Sequence, residues 1–586
     1  MSEGGGIQVL QGARPDTACL APWGDVRLYS VQKALRRAGI DHEVFRTSYR
    51  ASFPLKDLDL VLDTLEGWEV QVPEELVEGA RQSNDELARH QRAREAVNGL
   101  SEAPSKNLLP DFPERAHLDP HQLVAVAAAT HPDVHGLCLF DEQGLGKTVE
   151  ALFSFHRLRQ MGEVGTLLVL APKNMVYEWL RDLERFFPGM YRGEALVGTK
   201  EEKRRGLDRS ADVYVTNFET AVGLEYRLQL LMDSQGGSGL LVVDESFFVK
   251  NPGAERTAAV RRLRRHVDRA VVLCGTPAPN SPHDIVEQFN IADDGLTFGG
   301  AQIPEDRSLA REAVRHVLDE RGVYLRRLKQ EVLPELPERD FTRVIVPMEE
   351  EQRQLYQEAL NGYVRDLEAS DEESFRRNFT SFSARRAALL QICSNPSAVA
   401  AGYEGSPAKL SALDQILEEL ILRREEKVVV WSFYTKSLEA IYQRYQAYNP
   451  VRIDGSVTDT GERREAVTRF QEDDETMLFV GNPAASGAGI TLHRARYAVY
   501  ESMSQQAAHY LQSLDRIHRR GQERDVEYLF LLCEDSLEVL EYERLLEKEE
   551  NAQELLGDPA YDRRTRETFL EEAEQAARLF KEGGHT

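Results

Sequence analysis

The sequence predicts an α/β protein: two doubly wound parallel-sheet lobes with helical insertions, a small N-terminal domain and an acidic helical C-terminal tail. Three observations predict it. Short runs rich in Val and Leu recur along the chain, segments of helical period separate them, and the pattern appears twice with mostly helical sequence between. Strands buried on both faces and alternating with helices are the signature of a parallel sheet covered on each side.

Residues 1–112 stand apart as an N-terminal accessory domain and linker. "VRLYSVQKALRRAGIDHEVFRTSYRASFPLKDLDLVLDTL" suggests a small mixed α and β domain, and the charged "DELARHQRAREAV" reads as a linker helix. The first lobe is expected over 113–345, with strands at "GLCLF", "TLLVLAP", "DVYVTN", "GLLVVDE" and "AVVLCGTP". Residues 346–404 read as a helical insertion. The second lobe follows over 405–535, with strands at "KVVVWSF", "PVRIDG", "TMLFVGN", "YAVYESM" and "VEYLFLL". Residues 536–586 complete the chain as the acidic tail.

Composition narrows the function classes. At 586 residues, 41% hydrophobic and 29% charged, the chain has the balance of a soluble protein with several cores. The net charge of −26 argues against coating nucleic acid by bulk attraction, which needs clustered Lys and Arg. It leaves room for a narrow basic track, because much of the acidity sits in "EDSLEVLEYERLLEKEENAQELL" near the C-terminus. Five scattered cysteines without a CxxC pair suggest neither a disulfide framework nor a zinc site. With no membrane-length apolar run and no secretory signal visible, a cytoplasmic protein without a membrane partner is expected.

Three elements carry chemistry. "DEQGLGKT", Asp141 to Thr148, follows a strand and opens a helix, as a phosphate-binding loop must. Gly144 and Gly146 can turn backbone amides toward an anion, Lys147 reaches terminal phosphates, and Thr148 is a magnesium ligand. The general pattern has glycine where this loop has Asp141. The second element is "GLLVVDES", a buried-type strand ending in Asp244 and Glu245. A carboxylate at a strand tip beside the loop suits magnesium, here Asp244, and its neighbour Glu245 suits activation of water. The third is "QSLDRIHRRGQ", where Arg516 and Arg519, three apart on an expected helix, project together. Two guanidiniums across a cleft can stabilise charge on a transferred phosphoryl group.

Together these motifs resemble the Swi/Snf-type ATPases, the double-stranded-DNA translocase branch of superfamily-two helicases. That family's loop reads D-E-x-G-L-G-K-T, so Asp141 is its own form. The resemblance continues through "LDPHQ", "LVLAPKNMVYEW", "YVTNFET", "DESFFVKNP", "LCGTPAPNS" and "YLRRLKQEVLPELP" in the first half. In the second half it runs through "SPAKLSAL", "VVVWSFYT", "RIDGSV", "ASGAGITL" and "QSLDRIHRRGQ". It implies two RecA-like lobes, ATP and Mg2+ as cofactors, and double-stranded DNA as partner, with room for a DNA-bound protein such as RNA polymerase or a repair or defence partner. It further implies that Gln122 reads the adenine edge and that Asp141, Glu142, Gln143, Gly144, Leu145, Gly146, Lys147, Thr148 and Gly489 surround the nucleotide. DNA phosphates would meet loop ends carrying Lys173, Asn174, Thr216, Asn217, Gly275, Thr276, Ser432, Gly455 and Thr491, with Asp454 ordering its own loop. Lys147, Glu245, Arg516 and Arg519 would be the catalytic groups.

The sequence departs from the family at two positions. Phe247 replaces the histidine that usually ends the acidic box and cannot hydrogen-bond, and Thr491 replaces an asparagine. The N-terminal region is either an unrelated small domain or one that resembles the small domain preceding the ATPase in annealing-type members, without the usual tryptophan before Phe53-Pro54. The functional expectation is an ATP-driven translocase on duplex DNA with little sequence preference. A strand-separating helicase and a hydrolysis-impaired scaffold are the alternatives. Trp179 and Trp431 are either packed core or base-stacking groups, the basic "RRLRRHVDR" is either a solvated face or a contact surface, and His518 is expected on a helix surface.

Overall fold

The computed structural model describes residues 5–13, 17–45, 47–234, 238–275, 277, 282–333, 335–457, 459–483, 490–503, 510, 513–519, 521–543 and 566–583. The chain forms two units, one of residues 1–102 with 131–134 and one of the remainder. In the first, strands β1 (Gly6–Gln11), β2 (Thr17–Trp23), β3 (Glu43–Phe45), β4 (Arg50–Pro54) and β5 (Glu69–Gln71) make a sheet of order β3-β4-β2-β1-β5. Only β1 and β5 run parallel. Ile7, Val9, Leu20 and Phe53 of the sheet pack with Val31, Leu35, Leu58 and Val61 of two helices into its core. The expected linker helix lies within a longer one, Glu74–Glu102.

The second unit holds two all-parallel sheets. The first sheet consists of β6 (Gly136–Leu139), β7 (Thr166–Leu170), β8 (Gly193–Ala195), β9 (Val213–Thr216), β10 (Gly239–Val243), β11 (Arg269–Leu273) and β12 (Tyr324–Leu325). Their order is β12-β6-β11-β10-β7-β9-β8. Every residue of β6, β7, β9, β10 and β11 is buried, which is why these strands read as unbroken apolar runs. The second sheet, of order β13-β18-β17-β14-β16-β15, uses β13 (Arg339–Val346), β14 (Val428–Trp431), β15 (Val451–Ile453), β16 (Leu478–Gly481), β17 (Tyr497–Tyr500) and β18 (Val526–Cys533). Residues 339–345, expected to close the first lobe, thus pair with β18 in the second.

The helical insertion is bound to the chain's end. Tyr356, Leu360 and Tyr363 of helix Glu350–Glu368 and Phe382 and Leu389 of helix Phe379–Ser394 share a core with Phe569, Ala573 and Ala576 of helix Arg566–Gly583. Arg386, 2% exposed, lies among them with its guanidinium on Glu541 and Glu572. Residues 566–583 are therefore a packed helix, and the acidic side chains there include a structural counter-ion. No helix among the described residues is long and apolar enough to cross a membrane.

Candidate nucleotide site between the two lobes

Strand β6 delivers the chain into the loop at Asp141. Gly144 and Gly146 adopt φ of 86° and 92°, left-handed values that side chains resist, and Gly146 caps the helix Lys147–Gln160. The aspartate that replaces glycine is an anchor. Its carboxylate is fully buried and accepts two prongs of Arg327, with Nε to Oδ1 at 3.0 Å. The same guanidinium reaches the equally buried Glu150 at 3.3 Å. Burial, then the charge of Asp141, pushes the Glu150 carboxyl up to about 8, against the pull of Arg327 and Lys147. Asp141 also holds Lys147 through its carbonyl, which accepts from Nζ at 2.7 Å.

The remaining loop residues are braced from outside. Gln122 completes a capping box with Asp119, whose N–H donates to its Oε1 at 3.0 Å. Its Nε2 donates to the Leu145 carbonyl at 3.1 Å, and the His121 ring nitrogen lies 2.9 Å from the same oxygen. The expected adenine reader thus has its amide engaged with the loop, and a Cβ at Gly146 would collide with that amide. Glu142 accepts the Lys329 N–H at 2.7 Å, and Gln143 donates to Glu245 Oε1 at 3.0 Å. Thr148 sits half-buried in the first helical turn, beside Lys147.

Strand β10 leads directly into Asp244 and Glu245, both buried. Asp244 accepts from the Trp179 indole at 2.9 Å and from the Glu245 N–H at 2.9 Å. Glu245 takes a left-handed conformation, φ 48°, which turns its side chain off the strand direction toward the loop. Burial raises both carboxyls. Glu245 goes to about 7, where the charge of Asp244 adds to burial and Lys147, Gln143 and Arg516 oppose it. Two adjacent carboxylates at the strand tip, both within electrostatic reach of Lys147, offer hard oxygen donors of the kind a divalent cation takes. Asp244 and Thr148 would hold it, supplying charge neutralisation for phosphate oxygens.

The second lobe brings the arginines. Residues 515–517 form a turn and 518–519 a bend, in place of the expected helix. The two arginines stay within electrostatic reach of each other but have different further partners. Arg516 is buried within electrostatic reach of Glu245, and burial followed by repulsion from Arg519 pushes its guanidinium down to about 10. Arg519 lies within reach of Asp182 on the first-lobe helix Val176–Phe186 and donates to the Ile490 carbonyl at 3.3 Å. Of the two, Arg516 is the arginine within electrostatic reach of Glu245.

The residues expected on DNA divide by exposure. Lys173 and Gly455 are exposed and Thr491 is half-buried. Thr216 is buried, its hydroxyl on the Leu196 carbonyl at 3.0 Å. Asn217 caps helix Phe218–Asp233 through Thr220 N–H, and Ser432 donates to buried Glu501 at 2.8 Å. Gly275 faces the nucleotide side, where Gln143 leaves no room for a Cβ and Arg326 donates to its carbonyl at 2.9 Å. Thr276, Gly489 and the Asn174 side chain lie outside the described residues. Asp454 orders its loop by accepting from Ser456 N–H at 2.8 Å and pairing with Arg452.

Other ambiguities resolve locally. Trp431, fully buried, packs on Phe479, and Trp179 is a buried donor to Asp244. His518 is buried, with Nε2 2.8 Å from the Pro337 carbonyl, and burial pushes it down to about 4. On helix Glu255–Arg264 and just beyond it, Arg262 pairs with Glu225, Arg264 caps carbonyls of Ala292 and Val267, and Arg269 pairs with Glu163. Phe247 stacks on Phe248 with centroids 4.5 Å apart. Arg327, Lys329, Glu150 and Asp515 carry no role legible in the sequence alone. The available signal was the motif "YLRRLKQ", whose position gave no hint of its partners.

The SNF2-related domain family matches residues 89–398, and the helicase conserved C-terminal domain matches 408–521. A probable chromatin-remodeling complex ATPase chain of Oryza sativa is 27% identical over 442 residues, covering 70% of this chain and 38% of the relative. The ATP-dependent helicase FUN30 of Saccharomyces cerevisiae is 24% identical over 492 residues, 68% of this chain and 43% of the relative. The human DNA annealing helicase and endonuclease ZRANB3 is 25% identical over 463 residues, 74% of this chain and 40% of the relative. The chain thus spans about two fifths of the length of these curated relatives. With one domain family covering more than half of its length and the paired lobes meeting at a phosphate loop, the chain belongs to the SNF2-related, helicase-like ATPases.

Proposed function

We propose that the chain is an ATP-driven translocase on double-stranded DNA, hydrolysing ATP between the lobes and converting the cycle into movement along the duplex. The observation that carries this reading is that the two lobes meet at the phosphate loop, where Lys329 runs over Gly144 to pair with Asp515 and puts Arg516 within electrostatic reach of Glu245. A phosphoryl group on Lys147 would then be completed by charge from both halves, so that hydrolysis changes how strongly the halves are held together. Glu245, its carboxyl near 7, is suited to accept a proton from water as the water oxygen attacks the terminal phosphorus. The bond from that phosphorus to the bridging oxygen breaks, and ADP and phosphate leave. Lys147 and Arg516 offset the charge that builds on the phosphate oxygens. Mg2+ held by Asp244 and Thr148 would neutralise charge on the phosphates.

Support for DNA comes from relatives named as chromatin-remodelling ATPases and a DNA annealing helicase. On this chain, exposed Lys173 and Gly455 and half-buried Thr491 would meet phosphates directly. Thr216, Asn217 and Ser432, whose side chains are committed internally, would contribute through the backbone of the loops they shape. Contacts of this kind grip phosphate without reading bases. A protein bound to the duplex would be the cargo displaced.

The test is ATP turnover without DNA, with single strands and with duplex. Duplex stimulation supports the proposal, stimulation by single strands alone indicates a strand-separating helicase, and absence of turnover in all three indicates a scaffold. Glu245→Gln is expected to lower turnover by roughly 100-fold or more, and normal turnover would remove its assigned role.

A further inference from the structure

The segment that joins the two sheets is bonded to both of them. On the first lobe, Arg326 donates to the Gly275 carbonyl at 2.9 Å, and Arg327 holds Asp141 and Glu150. Two residues on, the Lys329 N–H donates to Glu142 of the phosphate loop at 2.7 Å. The Lys329 side chain then runs over Gly144, where a Cβ would lie 3.3 Å from its Cε and 3.5 Å from its Nζ. Its ammonium ends in the second lobe, paired with Asp515 and 3.3 Å from the His518 carbonyl. His518 returns the connection, its ring nitrogen 2.8 Å from the carbonyl of Pro337 in the same connecting segment.

Asp515 immediately precedes Arg516 and acts electrostatically on both Arg516 and Arg519. Lys329 is 2% exposed and Asp515 8%, so the pair is desolvated and its geometry is strongly constrained. The acidic box, by contrast, turns Phe247 onto Phe248, an apolar contact without a hydrogen bond.

We propose that Lys329 is a positioning residue that fixes the turn bearing Arg516 against Glu245, so that the state of the phosphate loop is transmitted to the second lobe through the Glu142–Lys329–Asp515 chain. The proposal rests on the ATPase reading above. Lys329 acts through Asp515 and Arg516, and its loss leaves the groups that bind nucleotide in place while moving the one that completes the transition state. Misplacement on the scale of 1 Å is enough to cost on the order of 100-fold in rate.

The test compares wild type, Lys329→Gln, Asp515→Asn and the double variant. The measurements are kcat and KM for ATP with saturating duplex, and affinity for a fluorescent, non-hydrolysable ATP analogue. Each single variant should lose roughly 10- to 100-fold in kcat, with KM and analogue affinity changed by no more than about twofold. The double variant should be no worse than the poorer single, and the charge-exchanged pair Lys329→Asp with Asp515→Lys should recover part of the loss. Unchanged kcat in both singles overturns the proposal, as do losses that multiply in the double variant. So does weakened analogue binding at normal kcat, which would make Lys329 a phosphate ligand. Thermal melting screens the variants for folding, and where Lys329→Gln does not fold, Asp515→Asn decides. If wild type itself shows no turnover, the ATPase reading fails separately. Protection of the 326–338 segment from protease by the analogue then reads the connection. Protection in wild type but not in Asp515→Asn supports it, and equal protection in both overturns it.

Discussion

Replacing Arg327 by methionine tests why position 141 is aspartate. Arg327 is the cation shared by two acids that are both fully buried, Asp141 and Glu150, and it holds the first with two nitrogens. Methionine fills similar volume without charge and strands Asp141 in a medium that solvates it poorly. Removing one partner of a buried pair costs about 3–5 kcal/mol. For a domain of 150–250 residues each kcal/mol lowers the transition by roughly 2–4 °C, so the first-lobe transition should fall by about 6–20 °C. Calorimetry or circular dichroism across that transition is the assay. Arg327→Lys should fall too, because an ammonium cannot match the two-pronged contact and reach Glu150 together. Adding Asp141→Asn to Arg327→Met should recover part of the loss by removing the stranded charge. A fall of less than about 2 °C, or a further fall on adding Asp141→Asn, would refute the anchoring role.

Three other outcomes follow from the same geometry. Trp179→Phe keeps most of the ring but removes the N–H that Asp244 accepts, and should cost about 1.5–3 kcal/mol in urea denaturation, as expected for a hydrogen bond to a charged group. His518 is held near 4, below its ordinary 6.5, so between those values the unfolded chain takes up a proton that the folded chain refuses. Its contribution is complete above 6.5 and is lost as pH falls toward 4, by at most about 3 kcal/mol. His518→Gln should flatten the stability profile in that window. Removing residues 566–583 uncovers the site of Phe569 and takes Glu572 from Arg386, and should destabilise the helical insertion by about 3 kcal/mol or more, seen as a lower melting transition.

Ten strands of the two sheets were legible: nine interior ones, where burial on both faces leaves apolar runs, and β15 at an edge. The three strands missed, β8, β12 and β13, all lie at sheet edges. The first two are only 3 and 2 residues long, and β13 has partly exposed positions along its length, so none produces such a run. At the site, the phosphate loop, the acidic strand tip and the arginine segment were readable because each is a short local pattern with its own chemistry. Their assembly was not. Arg516 and Arg519 were expected on a helix, and they sit on a turn and a bend with different further partners. His518 was expected on a helix surface, and it is buried with its ring nitrogen on the carbonyl of the distant Pro337.

By itself, the sequence determined the alternation of strand and helix, the residues able to bind a triphosphate, and the identity of the loop. Tertiary structure alone decided what holds that loop and what connects it to the second lobe. Arg327 meets Asp141, and Lys329 meets Asp515, across 186 residues of chain in each case. Periodicity reports only whether a residue is buried. Which charges become neighbours after burial is set by how the sheets are ordered and where the segment between them crosses, and no local pattern encodes that.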